Sequence, residues 1–179
     1  ITGNPRYHTW GCEPPAEPMF EAPIACPARK VEKQWIDYNG HMNVAYYVLL
    51  FDQCLDYVYN LLGIGEDYVR TQGGSCFTRE IQVNYLSELT LGDPVVVEFQ
   101  LLDWDKKRLH FFETMRHADQ GYLAATAEQL ALHVDMTNRR TAPFPDAIQQ
   151  RLTALMDAHS TLAKPDEVGQ TIGIRRNPA

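Results

Sequence analysis

The chain has 179 residues, of which 45% are hydrophobic, and this is enough for one globular domain with a sizeable core. Its formal net charge of −7 at pH 7 argues against nucleic acid or an anionic membrane as the main partner. No run approaches the ~18 apolar residues of a membrane span, so we expect no membrane partner.

The four cysteines show neither CxxC spacing nor a dense framework. Cys54 falls within a helical pattern and Cys76 within a strand-like one, so we expect buried free thiols rather than disulfides. Free thiols are typical of a reducing compartment, and the predicted location is therefore the cytoplasm.

The chain begins with a segment, residues 1–23, that is rich in Pro, Gly and Glu and is predicted to be an arm or linker. Residues 24–35 fit a first strand, and Pro27 predicts that this strand lies at a sheet edge near its start. A turn follows, with the sequence Trp35-Ile36-Asp37-Tyr38-Asn39-Gly40-His41-Met42-Asn43.

A long helix is predicted after this turn, from residue 44 to residue 62. Asn43 is the expected N-cap, and Gly63-Ile64-Gly65 is the expected stop. Apolar residues recur along the helix at helical spacing, at Val44, Tyr47, Val48, Phe51, Leu55, Val58 and Leu62.

Beyond a polar link with Gly73-Gly74, the hydrophobic period changes from 3.6 to 2. Strands are predicted at residues 77–85, 95–104, 108–117 and 122–136, and the short turns between them force antiparallel neighbours. A C-terminal helix is predicted from Pro145 to about Ala158.

These elements predict an α+β fold, in which an antiparallel sheet of about five strands wraps around one long helix, with a C-terminal helix added. The predicted domain covers residues 24–158, and a polar tail covers residues 159–179. Because such a sheet has exposed edges, we expect pairing into a homodimer or a dimer of dimers.

The turn before the long helix gathers reactive groups at a helix N-terminus, namely Asp37, His41 and Asn43. Unpaired N–H groups and about half a positive charge at such an end can polarise a carbonyl or hold an oxyanion. A carboxylate in the same turn supplies a nucleophile or a general base. The segment therefore predicts an enzyme that attacks an activated acyl carbon.

This turn resembles that of the hotdog-fold acyl-CoA thioesterases, specifically the 4-hydroxybenzoyl-CoA thioesterase-like branch. The branch carries an Asp, a Gly three residues later, often a His, then an Asn, and an aromatic residue seven positions past the Gly. In this chain the matching residues are Asp37, Gly40, His41, Asn43 and Tyr47. The order of elements also agrees, and the resemblance covers roughly residues 31–136.

Two departures from the pattern point to a specialised subgroup. Trp35 stands where many members have a second acidic residue, and Val44 stands where a second Asn is common. Together with the segments 51–53, 103–110 and 124–129, the motif is similar to the thioesterases of carnitine breakdown. Those enzymes act on betainyl-CoA and are sometimes fused to carnitine dehydrogenase, so fusion to or association with such a dehydrogenase is an expectation here.

The resemblance implies roles for the residues of the turn. Asp37 either attacks the thioester carbonyl, giving a mixed anhydride, or activates water for the same attack. The backbone amides of Val44 and Ala45 polarise the carbonyl. Asn43 caps the helix, positions the substrate or does both, and His41 either supports Asp37 or is a structural histidine.

A betainyl group carries a trimethylammonium, which favours aromatic faces and a nearby acid. The candidate substrate contacts are Trp35, Tyr38, Tyr47, Glu80 and Asn84, each with an ordinary alternative in core packing or a solvated sheet face. Asp52 and Asp56 are either anionic partners of the ammonium or a solvated helix face. Lys106, Lys107 and Arg108 either bind the nucleotide of CoA or are ordinary turn charges.

The sequence thus predicts a thioesterase that hydrolyses a short acyl-CoA, with betainyl-CoA as the preferred substrate and glycine betaine and CoA as the products. No metal and no cofactor beyond the CoA of the substrate is expected. The alternatives are a thioesterase for another acyl-CoA, such as an aromatic one, and a non-catalytic acyl-CoA-binding module. An enoyl-CoA hydratase is disfavoured, because its Asp–His spacing differs from that of Asp37 and His41.

Overall fold

The computed structural model describes residues 20–174. In chain order they are β1 (Ile24–Ala25), β2 (Arg29–Lys30), a 3-10 turn (Lys33–Trp35), α1 (Val44–Leu62), α2 (Glu66–Gln72), β3 (Gly74–Tyr85), β4 (Pro94–Trp104), β5 (Arg108–His117), β6 (Leu123–Asp135), β7 (Arg140–Thr141) and α3 (Asp146–His159). Most of the predicted arm and the last five residues of the predicted tail lie outside the described residues. The predicted domain bounds, residues 24 and 158, stay predictions.

The long helix α1 has the bounds and caps that the sequence predicts. It begins where the Asn43 Oδ1 accepts a hydrogen bond from the Ala45 N–H at 3.0 Å. It ends at Gly63, whose φ of +75° is a left-handed conformation that glycine adopts without strain. One face of α1 is buried in the core, where Phe51 and Val58 are fully inaccessible to solvent.

The strands form an antiparallel sheet in the order β1-β4-β5-β6-β3, with β2 also beside β4 and β7 beside β6. In the described part of the chain, β3 pairs with β6 alone and is thus an edge strand. The sheet face toward α1 is apolar and contains small side chains such as Ala125, Ala127 and Ala131. The opposite face carries polar side chains, because successive residues of a strand point to opposite sides.

The N-terminal strand is shorter and more broken than predicted. β1 and β2 are each two residues long, pair with β4 at the sheet edge and flank Pro27, so the predicted edge position is confirmed. The remaining residues up to Trp35 form a short 3-10 turn instead of a strand. The short elements α2 and β7 were not predicted, because seven and two residues carry little periodic signal.

The prediction of a buried free thiol at Cys54 is wrong. A disulfide joins Cys54 of α1 to Cys26, just after β1, with the Cα atoms 5.5 Å apart. The pairing of β1 with β4 brings these distant residues together, and no local spacing reveals it. Cys76 of β3 is a free thiol, as predicted, and burial raises its pKa to about 12. Cys54 therefore no longer supports the argument that free thiols indicate a reducing compartment.

Helix α3 packs against β4 and α1 and closes one side of the core, with Leu152 fully buried. The His159 ring at its end accepts a hydrogen bond from the Leu101 N–H at 2.8 Å. Further along the tail, the Gly169 N–H donates to Glu128 on the outer face of the sheet. No helix among residues 20–174 is long and apolar enough to cross a membrane.

Candidate active site

The turn that precedes α1 is closed by its own backbone. Ile36 and Met42 form an isolated antiparallel bridge, and the Asp37 N–H donates to the carbonyl of His41 at 3.1 Å. The Gly40 N–H donates back to the Asp37 carbonyl at 3.1 Å, and Gly40 has a φ of +89°. Because this φ lies in the left-handed region, a glycine fits the turn better than any residue with a Cβ.

Backbone hydrogen bonds attach the turn to the body of the domain. The Asn43 N–H donates to the Trp35 carbonyl at 2.9 Å, and the Met42 N–H donates to the Leu89 carbonyl at 2.7 Å. Trp35 is 3% exposed and stacks on Tyr46, with ring centroids 5.7 Å apart. The ring of Trp35 thus supports the turn from within the core, which favours core packing, the alternative to the predicted substrate contact.

The Asp37 carboxyl group is partly exposed at the open end of α1. Its Oδ1 accepts a hydrogen bond from the Asn39 N–H at 2.7 Å, which fixes the side chain in the turn. Within residues 20–174, no hydrogen bond to Oδ2 is found, so that oxygen faces the site without a partner. Tyr38 is 96% exposed beside it, and the described chain gives this ring no packing role.

Two backbone amides of the first helical turn differ in their hydrogen bonds within residues 20–174: that of Ala45 has an acceptor and that of Val44 has none. The Ala45 N–H donates to the Asn43 side chain at 3.0 Å, so a substrate carbonyl would have to compete with this cap for the predicted bond to Ala45. Among the described residues, none accepts a hydrogen bond from the Val44 N–H. Val44 is 56% exposed, and its amide stays the predicted donor to a substrate carbonyl.

The His41 imidazole lies beside Glu88. Its Nε2 is 3.5 Å from the Glu88 Oε1, and Glu88 is largely exposed. The backbone carbonyl of His41 is what contacts Asp37. Within residues 20–174, no hydrogen bond or ion pair joins the His41 ring to the Asp37 carboxyl group, and a supporting role for His41 through the shape of the turn stays a prediction.

Two tyrosines line the side of the helix mouth. Tyr47 is 4% exposed and donates to the Ser87 carbonyl at 3.3 Å, which favours packing, the alternative to the predicted substrate contact. Tyr85 packs edge-on against it at 5.3 Å and points its hydroxyl to the Val44 carbonyl at 3.5 Å. Tyr85 was not among the predicted site residues, although its place in the apolar alternation of β3 indicated an inward direction.

Glu80 and Asn84 lie on the wrong side of the sheet for the predicted substrate contact. Asn84 pairs with Thr126 and donates to its hydroxyl at 3.3 Å on the outer face. Glu80 lines an outer pocket together with Glu128. The inward positions of β3 belong to the apolar residues of the alternation, such as Val83, so strand geometry turns the polar ones away from α1.

The basic turn at Lys106, Lys107 and Arg108 is far from Asp37 in the same chain. The helix mouth lies near Leu89, before β4 begins, whereas the basic turn follows the end of β4. The 11 residues of β4 span about 33 Å. One chain therefore does not bring these cations to Asp37.

Two acids outside the turn have raised pKa values, Glu113 of β5 and Asp56 of α1. Glu113 of β5 is fully buried and accepts a hydrogen bond from the Gln129 side chain at 2.6 Å. Complete burial raises the pKa of Glu113 well above its ordinary value. Burial, and then the charges of Asp52 and Glu66, raise the pKa of Asp56 to about 6. In the sequence, Glu113 could have been found as an acid at an inward-facing position of an otherwise apolar strand.

The chain matches the model of the Thioesterase-like superfamily over residues 31–152. It is 38% identical over 141 residues to a betainyl-CoA thioesterase of Pseudomonas aeruginosa, and the match covers 79% of this chain and 89% of that protein. It is also 38% identical over 147 residues to an L-carnitine dehydrogenase/betainyl-CoA thioesterase of a Rhizobium species. That match covers 82% of this chain but 29% of the relative, so the chain spans less than a third of that protein.

Solved structures agree with the fold. A Staphylococcus aureus protein in complex with CoA superposes with a TM-score of 0.82 at 28% identity, over 89% of this chain and 100% of that one. A 1,4-dihydroxy-2-naphthoyl-CoA thioesterase of Synechocystis has a TM-score of 0.63 at 15% identity, over 78% of this chain and 97% of that one. The predicted hotdog fold and the predicted resemblance to thioesterases are confirmed.

Proposed function

The chain belongs to the Thioesterase-like superfamily, and on that premise we propose that it hydrolyses the thioester bond of an acyl-CoA. One observation carries the proposal. The Asp37 carboxyl group is fixed by the Asn39 N–H in the turn that leads into α1, and the first amide of α1, the Val44 N–H, has no partner among residues 20–174. A nucleophile or base thus adjoins a donor at the positive end of a helix.

In the proposed mechanism the thioester oxygen accepts a hydrogen bond from the Val44 N–H. The positive end of α1 stabilises the negative charge that develops on this oxygen, and one such donor contributes roughly 3 kcal/mol. Asp37 either attacks the carbonyl carbon, giving a mixed anhydride that water opens, or takes a proton from the water that attacks. Both routes break the carbon–sulfur bond, and the sulfur leaves as the thiol of CoA.

Asn43 and His41 act as positioning residues in this proposal. Asn43 caps α1 through its side chain and holds the turn through its N–H. The His41 carbonyl accepts the Asp37 N–H, and its ring lies beside Glu88 at 3.5 Å. Together they keep Asp37 at the mouth of the helix.

The proposed substrate is betainyl-CoA, with glycine betaine and CoA as products. The names of the Pseudomonas aeruginosa and Rhizobium relatives support this choice. The name of the Rhizobium relative also includes a carnitine dehydrogenase, so fusion to or association with a dehydrogenase is part of the proposal. The proposed location is the cytoplasm, where acyl-CoA esters are formed and used.

A homodimer is the proposed assembly. The edge strand β3 exposes the large apolar side chains of Ile81 at 42% and Tyr85 at 47%, and Leu86, which follows the strand, is 50% exposed. Such an edge is a template for pairing with another chain. A second copy also gives Lys106 and Lys107 a way to approach the Asp37 of its neighbour, which one chain does not allow.

Thiol release from a panel of CoA esters tests the proposal, with betainyl, acetyl, butyryl and 4-hydroxybenzoyl groups as the acyl parts. Fastest release from betainyl-CoA is the expected result. Fast release from another ester alone keeps the thioesterase and discards the betaine substrate. No release from any ester, with CoA binding intact, contradicts hydrolysis and supports the acyl-CoA-binding module instead.

A further inference from the structure

The segment of residues 86–89, which follows β3, lies beside the candidate active site and is fixed without helix or strand structure of its own. The N–H groups of Leu86 and Ser87 both donate to the Ala124 carbonyl of β6, at 2.9 and 3.1 Å. Connecting segments are usually the more mobile parts of a domain. The attachment of this one to neighbouring elements therefore calls for an explanation.

Three consecutive carbonyls of this segment accept hydrogen bonds from three separate parts of the chain. The bonds are from the Tyr47 hydroxyl to Ser87 at 3.3 Å, from the Tyr122 hydroxyl to Glu88 at 3.1 Å and from the Met42 N–H to Leu89 at 2.7 Å. Tyr47 belongs to α1, Met42 belongs to the turn of the candidate site, and Tyr122 directly precedes β6. The segment is thus attached at once to the long helix, to the turn and to the sheet.

The bond to Met42 connects the segment with the candidate reacting group. Met42 forms the bridge with Ile36 that closes the turn, and within the turn the Asp37 N–H donates to the His41 carbonyl. The Glu88 side chain reaches the same turn, since its Oε1 is 3.5 Å from the His41 Nε2. A displacement of the segment therefore displaces the turn and the carboxyl group that it carries.

Tyr122 is held in place for its bond to the segment by the end of β5. Its backbone carbonyl accepts from the His117 N–H at 3.1 Å, and its ring packs on the His117 ring with the centroids 5.1 Å apart. His117 is itself buried. Within residues 20–174, the Tyr122 hydroxyl forms one hydrogen bond, to the Glu88 carbonyl. Loss of the hydroxyl acts through this bond.

We propose that Tyr122 is a positioning residue for the reaction at Asp37. This inference rests on the proposed function, because it concerns the same carboxyl group. Tyr122 fixes the Glu88 carbonyl, and the next carbonyl, that of Leu89, holds the turn through the Met42 N–H. Misplacement of a reacting group by about 1 Å lowers an enzymatic rate by about 100-fold, so partial loosening of this support lowers kcat by about three- to tenfold.

Tyr122→Phe tests this role, because the ring keeps its contact with His117 and the hydroxyl alone is lost. The kcat and KM for betainyl-CoA, or for the ester of the panel that wild type hydrolyses fastest, are measured together with CoA affinity and Tm. Tyr68→Phe is the matched control, since it removes a tyrosine hydroxyl that lies 2.9 Å from the His133 Nε2. Tyr68 lies beside Gly74, where β3 begins, whereas the segment follows the other end of β3.

The expected result is a kcat about three- to tenfold below that of wild type in Tyr122→Phe, with unchanged CoA affinity. Tyr68→Phe should lower Tm at least as much, because its hydroxyl bond is buried, while its kcat stays within about twofold of wild type. In the Asp37→Asn background, Tyr122→Phe should have almost no further effect on the residual rate. A residue that acts through Asp37 has nothing left to position in that variant.

A kcat of Tyr122→Phe within about twofold of wild type overturns the positioning role. An equal fall of kcat in Tyr68→Phe also overturns it, because it would indicate general loosening of the fold. So does a full effect of Tyr122→Phe in the Asp37→Asn background. Weaker CoA affinity with unchanged kcat would make Tyr122 a binding residue instead. Failure of wild type to hydrolyse any ester overturns the proposed function, which the other outcomes leave standing.

Discussion

Replacing Asp56 with asparagine should stabilise the folded chain at neutral pH. Burial and the charges of Asp52 and Glu66 raise the pKa of the Asp56 carboxyl group from 3.8 to about 6. A shift of roughly two units corresponds to ~3 kcal/mol between the two protonation states. Because water partly screens this helix face, the expected gain in the free energy of unfolding is about 1 to 2 kcal/mol.

The pH dependence of this gain follows from proton binding. The folded chain holds the Asp56 proton more tightly than the unfolded chain, so ionisation weakens the folded state. This penalty is absent below pH 3.8, grows as the pH rises to about 6, and is complete above that value. The advantage of Asp56→Asn should therefore be large at about pH 7.5 and small at about pH 4.

Urea unfolding followed by circular dichroism at both pH values measures the effect. Asp157→Asn is the control, because it removes an acid of α3 that is exposed to solvent. A gain of equal size at both pH values, or a loss of stability at about pH 7.5, would refute the electrostatic reasoning.

Other parts of the fold give further predictions about stability. Asn43→Ala should lower the free energy of unfolding by about 1 kcal/mol, because the Ala45 N–H loses its acceptor; an unchanged urea midpoint contradicts the cap. Dithiothreitol should lower the free energy of unfolding by roughly 3 kcal/mol, because the Cys26–Cys54 bond links residues 28 positions apart. The double variant Cys26→Ser/Cys54→Ser should not respond to the reductant. Gly63→Ala should cost about 1 kcal/mol, because φ is +75°; an equal or higher Tm speaks against this.

The long helix and the four long strands could be predicted because each carries its own period. The 19 residues of α1 repeat an apolar side chain at helical spacing, and local residues supply the caps at Asn43 and Gly63. The strand β5 has the predicted bounds, since a short turn limits each end. The length of the N-terminal strand was overestimated, because its hydrogen bonds depend on pairing with the distant strand β4.

The turn of the candidate site could be predicted because its residues are contiguous in the sequence. Other features of the domain could not be predicted, because they depend on contacts between distant elements. The Cys26–Cys54 bond joins residues of separate elements, and the orphaned oxygen of Glu113 exists because β5 faces α1. The outward direction of Glu80 follows from the apolar alternation of β3, although a register shift between Thr78 and Glu80 hides that alternation.

The most direct test of the account is the kcat of Asp37→Asn on the ester that wild type hydrolyses fastest, with CoA affinity measured in parallel by calorimetry. The amide keeps the bond from the Asn39 N–H and the shape of the turn, but it has neither nucleophile nor base. We predict a fall in kcat of about 10²- to 10⁴-fold with unchanged CoA affinity. A variant that keeps kcat within about threefold of wild type would contradict the assignment of Asp37 as the reacting carboxylate.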